Sequence, residues 1–252
     1  MAATRRFRTK NAARKAIWDR LQARHVARFP FPPHGRIPNF TGAEEAARRL
    51  FELAPWKNAR RLKINPDAPQ RPVRAEALNR GISVYIPTPR LRGGFMLLDP
   101  AAIPPHKISE ASGLTTGAKW ATPVALRAMP RMDAIVCGSV VVTRSGRRCG
   151  KGEGSDLEYA ILRELGHPPV PVATTVHDTQ IVDFVPRDRT DQPLSVIVTP
   201  TRTIRVRRPP PPPAGLDWQR LDEADFEAMP ILLELRRLAR HASRRRSVRR
   251  RT

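Results

Sequence analysis

The sequence has little cysteine and lacks an apolar run long enough to cross a membrane. Its two cysteines, Cys137 and Cys149, cannot form a disulfide framework or supply the four ligands of a structural zinc site. The most apolar stretch, residues 134–142, is much shorter than the roughly 18 residues that a membrane span needs. The basic N-terminus has no apolar segment behind it, which argues against Sec-type secretion. We therefore expect a cytoplasmic protein with reduced thiols and no membrane partner.

Acidic residues are also scarce, with 23 Asp and Glu against 46 Lys and Arg and a net charge of +23. The excess is concentrated at the two ends, because residues 1–28 and residues 202–252 each carry a net charge of +8. A basic surface attracts nucleic acid, but it attracts an anionic small substrate equally well. Charge alone therefore leaves both classes of partner open.

Short apolar strands alternate with helical patterns along the first 205 residues. The strongest strand signal covers residues 132–143, an apolar run interrupted only by a Gly-Ser pair. Two helices are predicted to begin with capping boxes, one formed by Thr41 and Glu44 and the other by Ser155 and Glu158. Near-continuous apolar strands that alternate with helices favour a sheet covered on both faces, and therefore an α/β fold.

The composition changes after residue 205. Residues 206–215 contain five consecutive prolines and predict a stiff, extended linker. Residues 216–240 are expected to form a short helical segment. Residues 241–252 are rich in arginine, contain no acid and are expected to be disordered. The sequence thus predicts one α/β domain over residues 1–205 and a separate tail, whose removal should leave the domain largely intact.

Three glycines, at positions 150, 152 and 154, lie between the strongest strand and the helix that Ser155 is predicted to cap. Glycines let the backbone approach a ligand closely, and the N-terminus of the following helix favours an anion such as phosphate. Arg147, Arg148 and Lys151 add cationic donors beside the loop. The spacing matches neither Walker A nor the dinucleotide fingerprint. A glycine-rich turn that binds nothing is the alternative interpretation.

A second group of polar residues follows a later predicted strand. It comprises His177, Asp178, Gln180, Asp183, Asp188 and Asp191. Because ligands of open α/β sheets bind beyond the carboxyl ends of the strands, these carboxylates are candidate Mg²⁺ ligands. The His-Asp pair is also similar to that of metal phosphohydrolases, but the other histidines lack the spacing that such sites require. Solvated loop carboxylates are the simpler alternative.

Several motifs occur in the order typical of one enzyme family. They are Lys10-x-x-x-Arg14, the strand of residues 132–140, Gly150-x-Gly152-x-Gly154, Gln180, Asp191 and residues 197–200. In this order the chain resembles the 5-formyltetrahydrofolate cyclo-ligase family, also called methenyltetrahydrofolate synthetases, over residues 8–205. Residues 34–40 and 174–178 resemble a divergent branch of that family. The resemblance implies a three-layer, doubly wound and mostly parallel sheet with helices on both faces.

The resemblance also implies an activity that depends on ATP and Mg²⁺. In the family, the formyl oxygen of 5-formyltetrahydrofolate attacks the γ-phosphate, N10 closes the ring, and phosphate leaves to give 5,10-methenyltetrahydrofolate. Phosphorylation converts the amide oxygen into a good leaving group, so catalysis rests on positioning and charge neutralisation. We expect a monomer that acts on folate and ATP. The alternative is a non-catalytic relative that binds nucleic acid through its arginine-rich ends.

Site residues follow from the resemblance by position. Lys10 and Arg14, one helical turn apart, would contact the phosphates of ATP. Asp156 and Asp191 would bind Mg²⁺, and Asp67 would hold the folate. The phosphate loop would consist of Arg148, Gly150, Lys151, Gly152, Gly154 and Ser155, with the cations Arg148 and Lys151 as the candidate catalytic residues. The family has two tyrosines after the last loop glycine, where this chain has one serine.

Overall fold

Helices and strands alternate along the chain in the computed structural model, which describes residues 5–152 and 156–238. The helices are α1 (Lys10–Ala23), α2 (Ala43–Leu50), α3 (Arg71–Asn79), α4 (Ile108–Ala111), α5 (Leu157–Glu164) and α6 (Glu223–Ala228), and residues 231–238 are also helical. The strands are β1 (Ala27–Arg28), β2 (Asn39–Phe40), β3 (Arg61–Ile64), β4 (Ser83–Pro87), β5 (Phe95–Leu98), β6 (Ala121–Val124), β7 (Ala134–Cys137), β8 (Val141–Thr143), β9 (Arg148–Cys149), β10 (Val172–Thr175), β11 (Ile181–Val182), β12 (Val196–Val198) and β13 (Thr203–Arg205). Within these described ranges, no helix combines the length and the apolar character that crossing a bilayer requires.

Eight of these strands form one mixed sheet, in the order β13-β12-β10-β7-β3-β4-β5-β6. The five strands from β12 to β4 pair in parallel, and β13, β5 and β6 pair antiparallel with their neighbours toward the two edges. The chain runs outward from β3 to one edge and then returns to β7, from which it runs outward to the other. In open α/β sheets, ligands bind beyond the carboxyl ends of the strands at such a reversal. The predicted doubly wound α/β fold is confirmed.

Apolar side chains of the central strands alternate between the two faces of the sheet. Ala134 and Val136 of β7 lie in one apolar cluster with α2 and α3. Ile135 and Cys137 lie in a second cluster with α5 and the helical residues 231–238. A period of two with both faces apolar is the geometry of a strand covered on both sides. The molecule therefore has three layers.

The apolar run of residues 132–143 is not one strand, as the sequence predicted, but two strands in different sheets. β7 belongs to the central sheet, whereas β8 lies in a three-stranded sheet of order β11-β8-β9 whose apolar residues pack against α1. The chain changes direction at Gly138 and Ser139, where the Gln180 Nε2 donates to the Ser139 carbonyl oxygen (2.9 Å). Apolar periodicity does not reveal this break, because both strands are fully buried.

The predicted capping box of α2 is wrong. Gly42, and not Thr41, is the N-cap residue, and it has a φ of 88° with no side-chain cap bond. A Cβ on Gly42 would lie 2.6 Å from Pro200 Cγ, so close packing as well as the positive φ requires glycine there. Thr41 instead donates its hydroxyl to the Val26 carbonyl oxygen (3.3 Å).

The structure begins α5 one residue later than the capping box predicted from the sequence implies. The N-cap position is held by Asp156, which makes no side-chain cap bond, and Ser155 lies outside the described residues. Glu158 forms an ion pair with Lys63 of β3 and is therefore engaged elsewhere. The sequence spacing predicted that Glu158 would bond to Ser155, three residues away, whereas in the structure it pairs with Lys63.

The segment after the proline run packs against the α/β body. Ile231, Leu232 and Leu235 are buried in the same apolar cluster as α5. The predicted helical segment of residues 216–240 contains α6 and residues 231–238, and it is interrupted at Pro230, where the proline predicts a break. The prediction of a separate tail did not anticipate this packing, and the limits placed at residues 205 and 215 stay predictions. The arginine-rich residues 241–252 lie outside the described residues.

Candidate active site

A cleft of about 470 Å³ brings together most of the residues that the sequence singled out. It lies between the first turn of α1, the glycine loop after β9, the loop before β12 and the segment that follows the prolines. Six predicted site residues line it, namely Lys10, Arg14, Gly150, Gly152, Asp156 and Asp191. These residues are separated by up to 181 positions in the sequence, so their convergence is a property of the fold. Gly154 and Ser155 lie outside the described residues.

Lys10 joins two carboxylates on one wall of the cleft. Its Nζ lies 2.5 Å from Asp191 Oδ1 and 3.0 Å from Asp188 Oδ2. The hydrogen bond from Lys10 holds the pKa of Asp188 below its usual value. Asp191 is almost fully buried, and its second oxygen accepts the Asp188 backbone N–H (2.8 Å). These contacts fix the position of both predicted ligands, the Lys10 ammonium for phosphate and the Asp191 carboxylate for Mg²⁺.

Arg14 supports the glycine loop from below. Its Nε donates to the Gly150 carbonyl oxygen (2.8 Å), and its Nη1 donates to Asn11 Oδ1 (2.5 Å). A guanidinium has five N–H groups, so donors remain for a ligand in the cleft. Lys10 and Arg14 are on the same face of α1, as the four-residue spacing predicted, and both line the cleft.

Arg148 lies beneath the loop and does not line the cleft. It is 1 % exposed, and it forms an ion pair with Asp156, whose carboxylate reaches the cleft. Its Nη2 donates to the Gly138 carbonyl oxygen (2.6 Å) at the end of β7. Arg148 therefore links the cleft to the carboxyl ends of the central strands. Lys151 is exposed and also lies outside the lining of the cleft.

Asp67 follows β3 at the point where the strand order reverses, next to Gly138 at the end of β7. A Cβ on Gly138 would lie 2.7 Å from Asp67 Oδ2 and 2.9 Å from Ile37 Cγ2, so this approach requires glycine. Burial raises the pKa of Asp67, and the nearby charge of Lys151 opposes that rise. Gln70 Oε1 is buried nearby and has no hydrogen-bond partner. Acceptors that are buried without partners are open to a donor from a bound molecule.

A smaller cavity of about 180 Å³ has Pro66, the chain neighbour of Asp67, in its lining. Its lining is mainly apolar and includes Pro66, Ile86, Pro87, Met96, Leu98 and Leu114. The Arg74 side chain also lines it, and its Nη1 donates to the backbone oxygens of Asn65 (2.5 Å) and Asp67 (3.2 Å). Burial lowers the pKa of Arg74 to about 10, so it remains a cation at neutral pH. This arrangement suits a flat organic ring with polar groups at one edge.

A buried ion pair between β3 and α5 was not predicted from the sequence. Lys63 is 1 % exposed, and its Nζ donates to Asn65 Oδ1 (2.6 Å) and pairs with Glu158 of α5. The pair joins the central sheet to the helix that follows the glycine loop. One signal was available, because Lys63 lies between Leu62 and Ile64 in a strand of a sheet that is predicted to be covered on both faces. Its partner, 95 residues away, could not be inferred from spacing.

Three members of the predicted polar group, His177, Asp178 and Asp183, have structural contacts and do not line the cleft. His177 Nδ1 accepts the Thr179 N–H (3.1 Å), and Asp178 Oδ1 pairs with Arg202 (2.9 Å). Asp183 Oδ2 accepts the Arg5 backbone N–H (2.6 Å). Within residues 5–152 and 156–238, no three His, Cys, Asp or Glu side chains are grouped as a metal cluster. These contacts do not favour the phosphohydrolase alternative.

The carboxylate oxygens that line the cleft fit a Mg²⁺ ion that binds together with a nucleotide. Asp156, Asp188 and Asp191 offer carboxylate oxygens to the same cleft as the cation Lys10. Mg²⁺ in nucleotide sites commonly takes one or two protein carboxylates, while phosphates and water supply its other ligands. A dense cluster of protein ligands is therefore not required.

Comparison with known proteins places the chain in a family. The model of the 5-formyltetrahydrofolate cyclo-ligase family matches residues 6–200. A methenyltetrahydrofolate synthase domain-containing protein of Bos taurus is 40% identical over 235 residues, covering 90% of this chain and 62% of that protein. The corresponding protein of Mus musculus is 39% identical over 243 residues, covering 94% and 65%. The chain thus spans less than two thirds of the length of these relatives.

A solved structure shares the fold. The NMR structure of Aquifex aeolicus 5,10-methenyltetrahydrofolate synthetase superposes with a TM-score of 0.51 at 20% sequence identity. The superposed region covers 79% of this chain and 93% of the Aquifex chain. The sequence resemblance, the family match and the shared fold agree.

Proposed function

Because the chain belongs to the 5-formyltetrahydrofolate cyclo-ligase family, we propose that it converts 5-formyltetrahydrofolate and ATP to 5,10-methenyltetrahydrofolate, ADP and phosphate. One observation carries the proposal: six residues that the resemblance assigned to ATP and Mg²⁺ line a single cleft. A turn that binds nothing would not need to bring Lys10, Arg14 and Asp191 to the same glycine loop.

The triphosphate lies along the cationic wall of the cleft in this proposal. Lys10 and the free donors of Arg14 neutralise the phosphates, and the N–H groups of the glycine loop approach them closely. Asp156 and Asp191 would hold Mg²⁺, which would add charge neutralisation to that of the cationic side chains. The charge of Lys151 is free to reach the transferring phosphoryl group from the exposed side of the loop.

The folate lies on the other side of Arg148 from the nucleotide. Its ring occupies the apolar cavity beside Asp67, and Asp67 and Gln70 accept hydrogen bonds from its polar edge. Arg148 contacts the Asp156 carboxylate on one side and the Gly138 carbonyl on the other, so it fixes the two sites relative to each other. The formyl oxygen is then placed to attack the γ-phosphate, and orientation of the two reactants supplies much of the rate.

Two measurements test the proposal. Thermal unfolding is followed with MgATP, with 5-formyltetrahydrofolate and with both, since a ligand that binds the folded state raises its stability. Formation of the methenyl product is followed by its near-ultraviolet absorbance. We expect stabilisation by each ligand and product only with both. A protein that millimolar MgATP does not stabilise would contradict the nucleotide assignment, and one that binds MgATP without forming product would contradict the folate chemistry.

A further inference from the structure

The cleft has a wall that lies beyond the part of the chain matched by the family. The family match ends at residue 200, yet residues 215–225 supply Gly215, Leu216, Asp217, Arg220, Leu221 and Asp225 to the lining. The family's common features therefore do not account for this wall. It needs an explanation from its own chemistry.

This wall is held against α5 by one carboxylate. Glu164 accepts the Leu216 backbone N–H (3.2 Å) and the Trp218 indole N–H (3.1 Å). A Cβ on Gly215 would lie 2.4 Å from Glu164 Oε2, so glycine permits the close approach. Glu164 thus contacts both a backbone group and a side chain of residues 215–225, and these contacts hold the wall close to α5. The wall is therefore docked on the body of the protein.

Aliphatic as well as charged residues line the cleft. Lys10, Arg14 and the glycine loop supply cations and backbone N–H groups. Four aliphatic side chains come from the two elements that Glu164 joins, and these are Leu157 and Ala160 of α5 and Leu216 and Leu221 of the wall, which also brings Asp217, Arg220 and Asp225 to the lining. Residues at spacings of three, four and seven share one face of a helix, so Leu157 and Ala160 lie on the face of α5 that carries Glu164.

We propose that residues 215–225 form the base-binding wall of the nucleotide cleft, and that the purine ring lies between Leu216 and Leu221 on one side and Leu157 and Ala160 on the other. The inference rests on the proposed function, which places the triphosphate at Lys10 and Arg14. A nucleotide joins an anionic chain to a flat, largely apolar ring, and the four aliphatic side chains offer that ring apolar contacts in the same cleft.

Leu221→Ala and Leu216→Ala test the wall, with Leu233→Ala as the matched control. Leu221 and Leu216 are half-buried, so both variants should fold, whereas Leu233 is 46% exposed in the same segment and does not line the cleft. Calorimetry measures the Kd of MgATP and of magnesium tripolyphosphate, which has the phosphates without the base. Removing one partly buried leucine contact should raise the Kd of MgATP about tenfold. The Kd of tripolyphosphate should not change in any variant.

The outcomes separate the two proposals. If the parent protein binds MgATP and both cleft variants bind it equally well, the base wall is wrong and the proposed function stands. If the variants lose MgATP and tripolyphosphate to the same extent, the wall shapes the cleft generally and the base assignment is wrong. If the parent protein binds neither ligand, the nucleotide site itself is overturned, and the base wall falls with it.

Discussion

Asp191 shows how much one side chain can hold in place. It pairs with Lys10, accepts the Asp188 N–H and faces the cleft. We expect Asp191→Asn to keep the shape of the loop but to weaken Mg²⁺ binding and to remove one of the two carboxylates that hold Lys10. Turnover should fall about 100-fold or more, as when one oriented charge-stabilising group is removed. The measurement is product formation across a range of Mg²⁺ concentrations.

Asp183→Asn is the control for that change. Asp183 lies in the same part of the sequence, but its carboxylate accepts the Arg5 N–H away from the cleft. Its turnover and Mg²⁺ dependence should match those of the parent protein. If Asp191→Asn also turned over like the parent protein, the assignment of Asp191 to Mg²⁺ would be wrong, and its contacts with Lys10 and Asp188 would have a structural role only.

The Lys63–Glu158 pair is expected to contribute to the free energy of unfolding. Replacing one member of a buried pair leaves the other charge without a partner, which commonly costs about 3–5 kcal/mol. Glu158 keeps partial access to solvent, so we expect Lys63→Met to lower the free energy of unfolding by about 3 kcal/mol. Urea unfolding measures the loss.

A double variant separates charge from packing in the same pair. Lys63→Met with Glu158→Gln removes both charges, and it should recover a large part of the stability lost by Lys63→Met. If the double variant is as unstable as the single variant, the loss comes from the shape of the lysine side chain and not from an unpaired carboxylate.

Sequence reasoning found the residues of the cleft but not their partners. Lys10 and Arg14 were recognisable from a helical spacing, and Asp191 from its place in an ordered set of motifs. Arg148 was expected in the phosphate loop, but the structure buries it below the loop, in contact with Gly138 and Asp156. A sequence shows which residue types are present, but contact between distant segments depends on tertiary packing.

At the scale of elements, the junction between β7 and β8 positions Asp67, the residue proposed to hold the folate. Gly138→Ala would place a methyl group 2.7 Å from Asp67 Oδ2 and 2.9 Å from Ile37 Cγ2. We expect the Asp67 carboxylate to be displaced and turnover to fall about 100-fold, because a misplacement of about 1 Å can cost that much. Binding of MgATP should remain, since Gly138 does not line the cleft that is proposed to bind the nucleotide.

Gly93→Ala provides the comparison. A Cβ at Gly93 would have no neighbour closer than 3.4 Å, and its backbone is not in the left-handed region. Parent-like turnover is expected for this variant. Equal turnover by Gly138→Ala and Gly93→Ala would show that the contact with Asp67 does not matter to the reaction.

The same junction shows what local patterns can predict. The strands on either side were correctly recognised as apolar, and the glycine loop and α5 followed in the predicted order. The break between the strands and the capping of α2 were not predicted. In both places a contact with a distant residue decides the geometry, as Gln180 does at Ser139 and Pro200 does at Gly42.

At the scale of the whole molecule, the segment after the prolines belongs to the core. Truncation after residue 205 removes the buried Met229, Ile231, Leu232 and Leu235 and uncovers the face formed by α5. Each buried aliphatic side chain is worth about 1.5–3 kcal/mol, so a large loss of stability is expected. Thermal unfolding and solubility measure it. A truncated protein as stable as the full chain would show that the packing contributes little.

Truncation after residue 238 is the matched control and tests the arginine-rich end. It removes residues 239–252, which contain seven arginines and no acid. Stability and MgATP binding should be unchanged, whereas any non-specific binding to nucleic acid at low salt should decrease. Unchanged binding to nucleic acid would place that interaction elsewhere on the protein.

The cleft joins α1, near the start of the described chain, to residues 215–225, near its end. During synthesis, the α1 residues of the cleft therefore leave the ribosome well before the wall of residues 215–225. Until residues 215–238 have emerged and docked, the apolar face of α5 stays uncovered and the cleft lacks one side. Early folding of α1 and the glycine loop thus cannot complete the cleft by itself.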